Sequence, residues 1–145
     1  MVFERDEVLK NVSGAAAATP SELNKGDVLQ IYFGSDGKPA AVRYVYKRTD
    51  VQTGKFMLSS PASIGDTNTV FHGKIKYSDG AYMTSVEDSG IETVADLSSA
   101  RIYVYDNSDS DGEIVSVGSV ADLIRDCEIV VRKGSSAYNQ IIVYK

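Results

Sequence analysis

The sequence is short of the residues from which most recognisable sites are built. Among 145 residues there is no tryptophan, one histidine (His72) and one cysteine (Cys127). A single thiol cannot close an intrachain disulfide, so the fold does not rest on a disulfide framework. A lone histidine with no second His or Cys nearby is not a zinc site. No glycine-rich phosphate loop precedes a helix. Helical periodicity is not sustained over the ten or so residues that a real helix needs. No apolar run approaches the roughly 20 residues of a membrane span. The segment Met1-Val2-Phe3-Glu4-Arg5-Asp6 lacks the apolar stretch of a secretory signal. The net charge of −5, with both signs interspersed, argues against a nucleic-acid or anionic-membrane surface.

What remains is strand chemistry. Nine tyrosines and abundant valine suit half-buried pleated surfaces. In the last third, strands are expected at 102–105, 113–117, 128–132 and 139–144. Earlier ones are expected at 2–5, 7–12, 28–33, 41–47, 55–58, 70–77, 81–86 and 92–94. Pro39 belongs at a strand start, where its missing N–H costs least. The tripeptide Ser-Asp-Gly recurs at 35–37, 78–80 and 110–112, each time between β-rich runs, which predicts three hairpins. Ser119 followed by Asp122 is a cap-like start for one helical turn. A second such turn is expected at Thr19–Leu23, and residues 49–54 are expected to turn. Small polar residues with Pro61 and Gly65 mark 59–68 as a linker. It separates a first β subdomain, 1–58, from a second module, 69–145.

A faint copy of the C-terminal unit lies 100 residues upstream, without a gap. Asp6, Leu23, Gly34, Ser35 and Tyr44 align with Asp106, Leu123, Gly134, Ser135 and Tyr144. Similar residues fill the register between them, among them Thr19/Ser119, Glu22/Asp122, Lys25/Arg125 and Leu29/Ile129. This order implies an internal duplication. The expected fold is all-β: two small antiparallel β-barrel or sandwich subdomains, with one or two single-turn helices.

The run IYVYD (102–106), GEIVSVGSVADLI (112–124), RDCEIVVRKG (125–134) and NQIIVYK (139–145), led in by VFHGKIKYSDGAYMT (70–84), resembles a known module type. It is similar to small β-barrel repeat modules of large secreted surface proteins of Gram-positive bacteria, which often carry S-layer-homology regions. The likeness lies in a V-x-D-L turn, here Val120-Ala121-Asp122-Leu123, and an I-x-V-Y closing strand, here Ile141-Ile142-Val143-Tyr144. It covers 69–145, with 2–48 as a partial second copy; an S-layer-homology motif itself is lacking. The resemblance implies a structural or adhesive role at a cell surface and supplies no catalytic residues.

The best chemical candidate is the acidic loop. Asp106, Asn107, Asp109 and Asp111 offer oxygen ligands on one flexible segment, the kind of set Ca²⁺ takes. The run imitates the first half of an EF-hand loop, but Gly118 stands where the bidentate Glu belongs. The competing reading is a solvated turn whose Asp and Ser side chains bond their own backbone. No other cofactor is indicated. His72 and Cys127 are candidates for a nucleophilic site only if distant partners are brought to them; an ordinary structural role is expected for both. In Arg43-Tyr44-Val45-Tyr46-Lys47-Arg48, alternation places Tyr44, Tyr46 and Arg48 on one face and Arg43, Val45 and Lys47 on the other, and the ordinary reading turns the tyrosines inward. Asn11-Val12-Ser13 fits a glycosylation sequon.

The expectation is therefore a non-enzymatic structural or interaction module, extracellular or on a cell surface. Its partners would be other proteins, copies of itself, or a cell-wall polymer or glycan, without nucleic acid and without a membrane span. The alternatives are a phage virion component, such as a head decoration or tail protein, and a carbohydrate-binding module using strand-face tyrosines.

Overall fold

The computed structural model describes residues 24–33, 35–37, 39–48, 52–53, 69–106, 108, 115–134 and 139–145. The chain divides into two compact units, Met1–Asp66 and Thr67–Lys145, each described by itself. Both are β structure, and among the described residues no helix is long and apolar enough to cross a membrane.

The first unit holds a three-stranded sheet in the order β1-β2-β3. Its strands are β1 (Val28–Phe33), β2 (Pro39–Lys47) and β3 (Gln52–Thr53). A tight turn leads into β1, with the Asp27 N–H donating to the Asn24 carbonyl at 3.1 Å. Its third residue, Gly26, has φ +92°, which glycine adopts without a Cβ penalty. The Asp27 carboxylate accepts from the Asn24 N–H at 2.8 Å and from the Arg48 N–H at 2.9 Å, so it clasps the far end of β2. Pro39 opens β2, as its missing donor requires. Two expectations change here. Gln52–Thr53 pairs with β2, although a turn was expected throughout 49–54, because Tyr46 and Lys47 extend the strand far enough to accept a partner. Tyr44, Val45 and Tyr46 are all buried, so alternation does not leave one face of β2 to solvent at this point.

The second unit is one seven-stranded sheet in the order β6-β5-β4-β9-β10-β7-β8. Its strands are β4 (Thr69–Ser78), β5 (Tyr82–Glu87), β6 (Glu92–Asp96), β7 (Arg101–Tyr105), β8 (Val115–Val117), β9 (Glu128–Lys133) and β10 (Asn139–Tyr144). The hairpins expected around 35–37 and 78–80 form, and β7 pairs antiparallel with β8 on either side of the third Ser-Asp-Gly. Between β8 and β9 lies one 3-10 turn, Val120–Asp122. It is closed by a capping box in which the Ala121 N–H donates to Ser119 Oγ and the Ser119 N–H donates to Asp122 Oδ2 at 2.9 Å. A second tight turn follows, with the Cys127 N–H donating to the Ile124 carbonyl at 3.2 Å and Asp126 at φ +68°. The strands expected at 2–5, 7–12 and 55–58, and the turn at Thr19–Leu23, lie outside the described residues.

The sheet is not purely antiparallel: β10 runs parallel to β7, in register from Gln140↔Arg101 to Tyr144↔Tyr105. A parallel pair needs a long crossover. Here β8, the 3-10 turn and β9 supply it. Neither sheet closes into a barrel among the described residues.

One face of the second sheet forms the core, from Phe71, Ile75, Met83, Ile102, Ile129, Val131, Ile141 and Val143, with Leu97 and Leu123 from the connections. Full burial of each such side chain stabilises by about 1.5–3 kcal/mol. No helix covers this face among the described residues. Instead the sheet curls over it. Odd-numbered residues around β6 bond to β5: the Glu87 N–H donates to the Ile91 carbonyl and the Leu97 N–H to the Ala81 carbonyl. Val94 and Asp96 therefore aim their carbonyls off the free edge. Those two accept from Lys133 Nζ at 3.4 Å and Asn139 Nδ2 at 2.8 Å, side chains of strands three and four places away across the sheet.

Two features of β4 allow the curl. An irregularity between Ile75 and Tyr77 leaves Lys76 as an extra residue, which bends the strand. At Gly73 the backbone of β5 passes so close that an added Cβ would lie 2.2 Å from the Val86 carbonyl oxygen. Gly73→Ala is accordingly expected to lower stability in chemical denaturation by about 3 kcal/mol, the upper range for overpacking. Gly80→Ala, where φ is +87° and a Cβ would meet nothing within 4 Å, is expected to lose only about 1 kcal/mol. Equal losses at the two positions would refute the close approach.

Candidate functional site

Alternation along β4 sends Phe71 and Ile75 to the core and His72 and Lys74 to the opposite face. The β4–β9 register sets His72 opposite Val130 and Lys74 opposite Glu128. Glu128 is thus the diagonal neighbour of His72. On the other side, the turn after β5 is held against β4 by the Asp88 N–H donating to the His72 carbonyl at 3.1 Å. The imidazole lies between the two acids, with Nδ1 2.5 Å from Asp88 Oδ2 and Nε2 2.9 Å from Glu128 Oε1. The histidine side chain is only 14% exposed, against 57% for Asp88 and 32% for Glu128. Sequence inspection misses this trio, because 16 and 56 residues separate His72 from its partners. Nothing local to any of the three residues signals it.

A nucleophilic site needs a hydroxyl or thiol at one ring nitrogen and an orienting acid at the other. Here both nitrogens face carboxylates. Cys127 packs against the core, its carbonyl accepting from the Ile75 N–H at 3.1 Å. The structure does not bring His72 and Cys127 into one site.

Of the acidic loop, Asn107, Asp109 and Asp111 lie outside the described residues. Asp106 is described, and Oδ1 of its carboxylate accepts from the Ser108 N–H at 2.8 Å and Ser108 Oγ at 2.6 Å. Those bonds, the side-chain one first, hold its pKa below the ordinary carboxylate value. Among the described residues no group of three or more His, Cys, Asp and Glu side chains is placed to hold a metal ion. The same use of aspartate recurs around the second sheet. Asp79 accepts from the Tyr82 and Ala81 N–H groups in the β4–β5 hairpin, and Asp96 from the Ser98 N–H after β6. Both pKa values are lowered by these backbone donors. Such carboxylates stand in for backbone acceptors in a turn.

The β4–β6 part of the outer face carries a different group. Tyr77 opposes Thr84, and Thr84 opposes Val94. Tyr82, two residues before Thr84, opposes Asp96 on the same face. Tyr77 is 61% exposed and Tyr82 52%, with Val94 also exposed beside them. Lys76 Nζ donates to Glu92 Oε1 at the margin of this patch. By contrast, Tyr44 and Tyr46, the rings that sequence alternation singled out, are buried.

Comparison of the chain with protein-family models, with curated proteins and with solved structures found no match.

Asp122 joins the 3-10 cap to the end of the chain. Its Oδ1 accepts from Lys145 Nζ at 2.8 Å, and the Lys145 N–H donates to the Tyr105 carbonyl at 2.9 Å. The Lys145 bond first, then the Ser119 N–H, lowers the Asp122 pKa; the same pair raises that of Lys145. A depressed carboxylate contributes stability that is present above its ordinary value and lost as pH falls through the depressed one. Chemical denaturation at stepped pH is therefore expected to show stability falling below about pH 4. In Asp122→Asn that fall is expected to be shallower. An unchanged acid limb would show that the carboxylate contributes nothing.

Proposed function

We propose that the chain is a duplicated, non-enzymatic structural module of a secreted or cell-surface protein, acting through contacts with copies of itself or with wall polymer. The observation that carries this reading is a correspondence between the two units. The turn Asn24–Asp27 and the turn Ile124–Cys127 close the same N–H to carbonyl bond and have the same left-handed third residue, Gly26 and Asp126. Strand β1 spans Val28–Phe33 and β9 spans Glu128–Lys133, an offset of 100 at both ends. Strand β2 begins at Pro39 and β10 at Asn139, the same offset. Phe33↔Pro39 matches Lys133↔Asn139; beyond it, irregularities between Tyr32 and Phe33 and between Val28 and Leu29 each shift the first hairpin by one residue, whereas the second runs in unbroken register. Two such irregularities bend a hairpin locally and leave its strand pairing antiparallel in both units.

Duplicated β units are the material of modular arrays, whose parts stack on like parts. The resemblance of 69–145 to surface-protein repeat modules points the same way. Sedimentation of the full chain across a wide concentration range, with a parallel retention assay on purified wall polymer, tests the reading. Reversible self-association or retention is expected. A monomer at every concentration that is not retained would sink it.

The exposed pair Tyr77 and Tyr82 favours one second reading, a carbohydrate-binding module. Two rings on one sheet face offer stacking surface for pyranose rings, and Asp96 and Glu92 beside them offer acceptors for sugar hydroxyls. Affinity electrophoresis in gels cast with soluble polysaccharides is expected to retard the chain. Tyr77→Ala with Tyr82→Ala is expected to weaken that binding roughly tenfold or more, as for other truncated aromatic anchors. Retardation unaffected by the double substitution, or none with any glycan, would remove this reading.

A further inference from the structure

We propose that His72 is a proton-operated strut, which in its protonated form ties the β5–β6 turn to β9 and on losing its proton releases the turn. The inference is independent of the proposed function. It rests on the placement of the ring between Asp88 Oδ2 and Glu128 Oε1. Each contact is a hydrogen bond only if the nitrogen concerned carries a proton. An imidazolium carries two N–H donors, whereas a neutral imidazole carries one. The full clasp therefore belongs to the cation, with both donors aimed at carboxylates, the strong, charge-assisted kind of bond.

The surroundings decide which arm opens. On β4 and β9, Lys74 sits directly opposite Glu128, so that carboxylate keeps a cation beside it when the ring is neutral. Tyr144 of β10 opposes Glu128 from the other side. Arg132, farther along β9, lies on the same face, with its Nη1 donating to Gln140 Oε1 at 3.3 Å. On the turn, the Glu87 carboxylate is engaged by Thr93 Oγ1 at 2.9 Å and Ser89 Oγ at 3.5 Å. Asp88 is the most exposed acid of the trio and is the one most readily handed back to water. The proton leaves Nδ1 for solvent, Nε2 keeps its own for Glu128, and the Asp88 side chain swings free. The Asp88–Gly90 turn then retains its backbone bonds, among them the Asp88 N–H to the His72 carbonyl and the Gly90 N–H to the Glu87 carbonyl, and the Ser89 Oγ bond to Glu87.

His72 is the only histidine, so its ring signals need no assignment against others. The test is nitrogen-15 NMR of the full chain across a pH series that takes the ring from cation to neutral. Both ring nitrogens are expected to be protonated in the cation and Nε2 alone in the neutral ring. Over the same range, protection of the Asp88 and Gly90 amides from hydrogen exchange, corrected for intrinsic rates, is expected to fall roughly tenfold, the size of one charge-assisted bond. His72→Gln is expected to abolish that step. Should that variant fold poorly, Asp88→Asn, on an exposed turn, is expected to abolish it as well while leaving the Glu128 contact in place. Protection independent of pH in the parent chain, or an undiminished step in Asp88→Asn, overturns the proposal. A neutral ring protonated at Nδ1 overturns the assignment of Asp88 as the released arm.

Discussion

The second unit is governed by one constraint: a sheet with an apolar face must cover it, and the described residues include no helix to do so. The sheet covers itself. Its β6 edge comes round until Asn139 and Lys133, from the middle of the same sheet, meet the outward carbonyls of Asp96 and Val94. This contact also answers the edge-strand problem, since carbonyls left open on a free edge invite pairing with another chain. Asn139 is itself buried, so its amide bond to Asp96 is made away from bulk water, where leaving a donor unmatched costs about 1–3 kcal/mol. Gly73 and the extra residue Lys76 supply the bend that lets the edge reach so far.

Once the core face is enclosed, the polar chemistry is left to the turns and the outer face. That is where the aspartates work. Asp79, Asp96, Asp106 and Asp122 each accept from N–H groups that the bending chain leaves without a strand partner. The excess of acid over base in the composition is in part a record of this turn chemistry. At Asp106 the carboxylate that headed the calcium candidate is engaged by the serine two residues on. The outer face carries the His72 trio and, farther along β4 and β5, the exposed tyrosines, besides the buried Val130, Tyr105 and Tyr144.

Local patterns were legible in the sequence. The bounds of β1 and β10 follow from β-branched and aromatic runs, Pro39 sits at the strand start its chemistry demands, and Ser119 with Asp122 forms the cap. What was not legible is non-local. Alternation states which residues share a face but not which strands are neighbours, so the parallel pairing of β7 with β10 carried no local signal. The curl depends on what a Cβ at Gly73 would strike, and that atom belongs to Val86 on another strand. The same limit hid the partners of His72. Alternation reads Tyr44 and Tyr46 as inward but misses Val45 between them, where both faces of β2 are covered, because period two reports burial only when one face is wet.

The faintness of the 100-residue similarity has a physical reason as well. What the two turns share is a backbone conformation rather than a side chain. Position 26 is glycine, for which φ of +92° is unstrained, and position 126 is aspartate at +68°. Aspartate is one of the few other residues that visit this region routinely, at a penalty of roughly 1–2 kcal/mol. Lys-Gly-Asp and Arg-Asp-Cys therefore satisfy one geometric demand with little identity between them. The strands tolerate more still, since Val28–Phe33 and Glu128–Lys133 need only fit a pleated surface in their own surroundings. The turn bond and the limits of β1 and β9 therefore correspond at an offset of 100 although only five residues along the two stretches are identical.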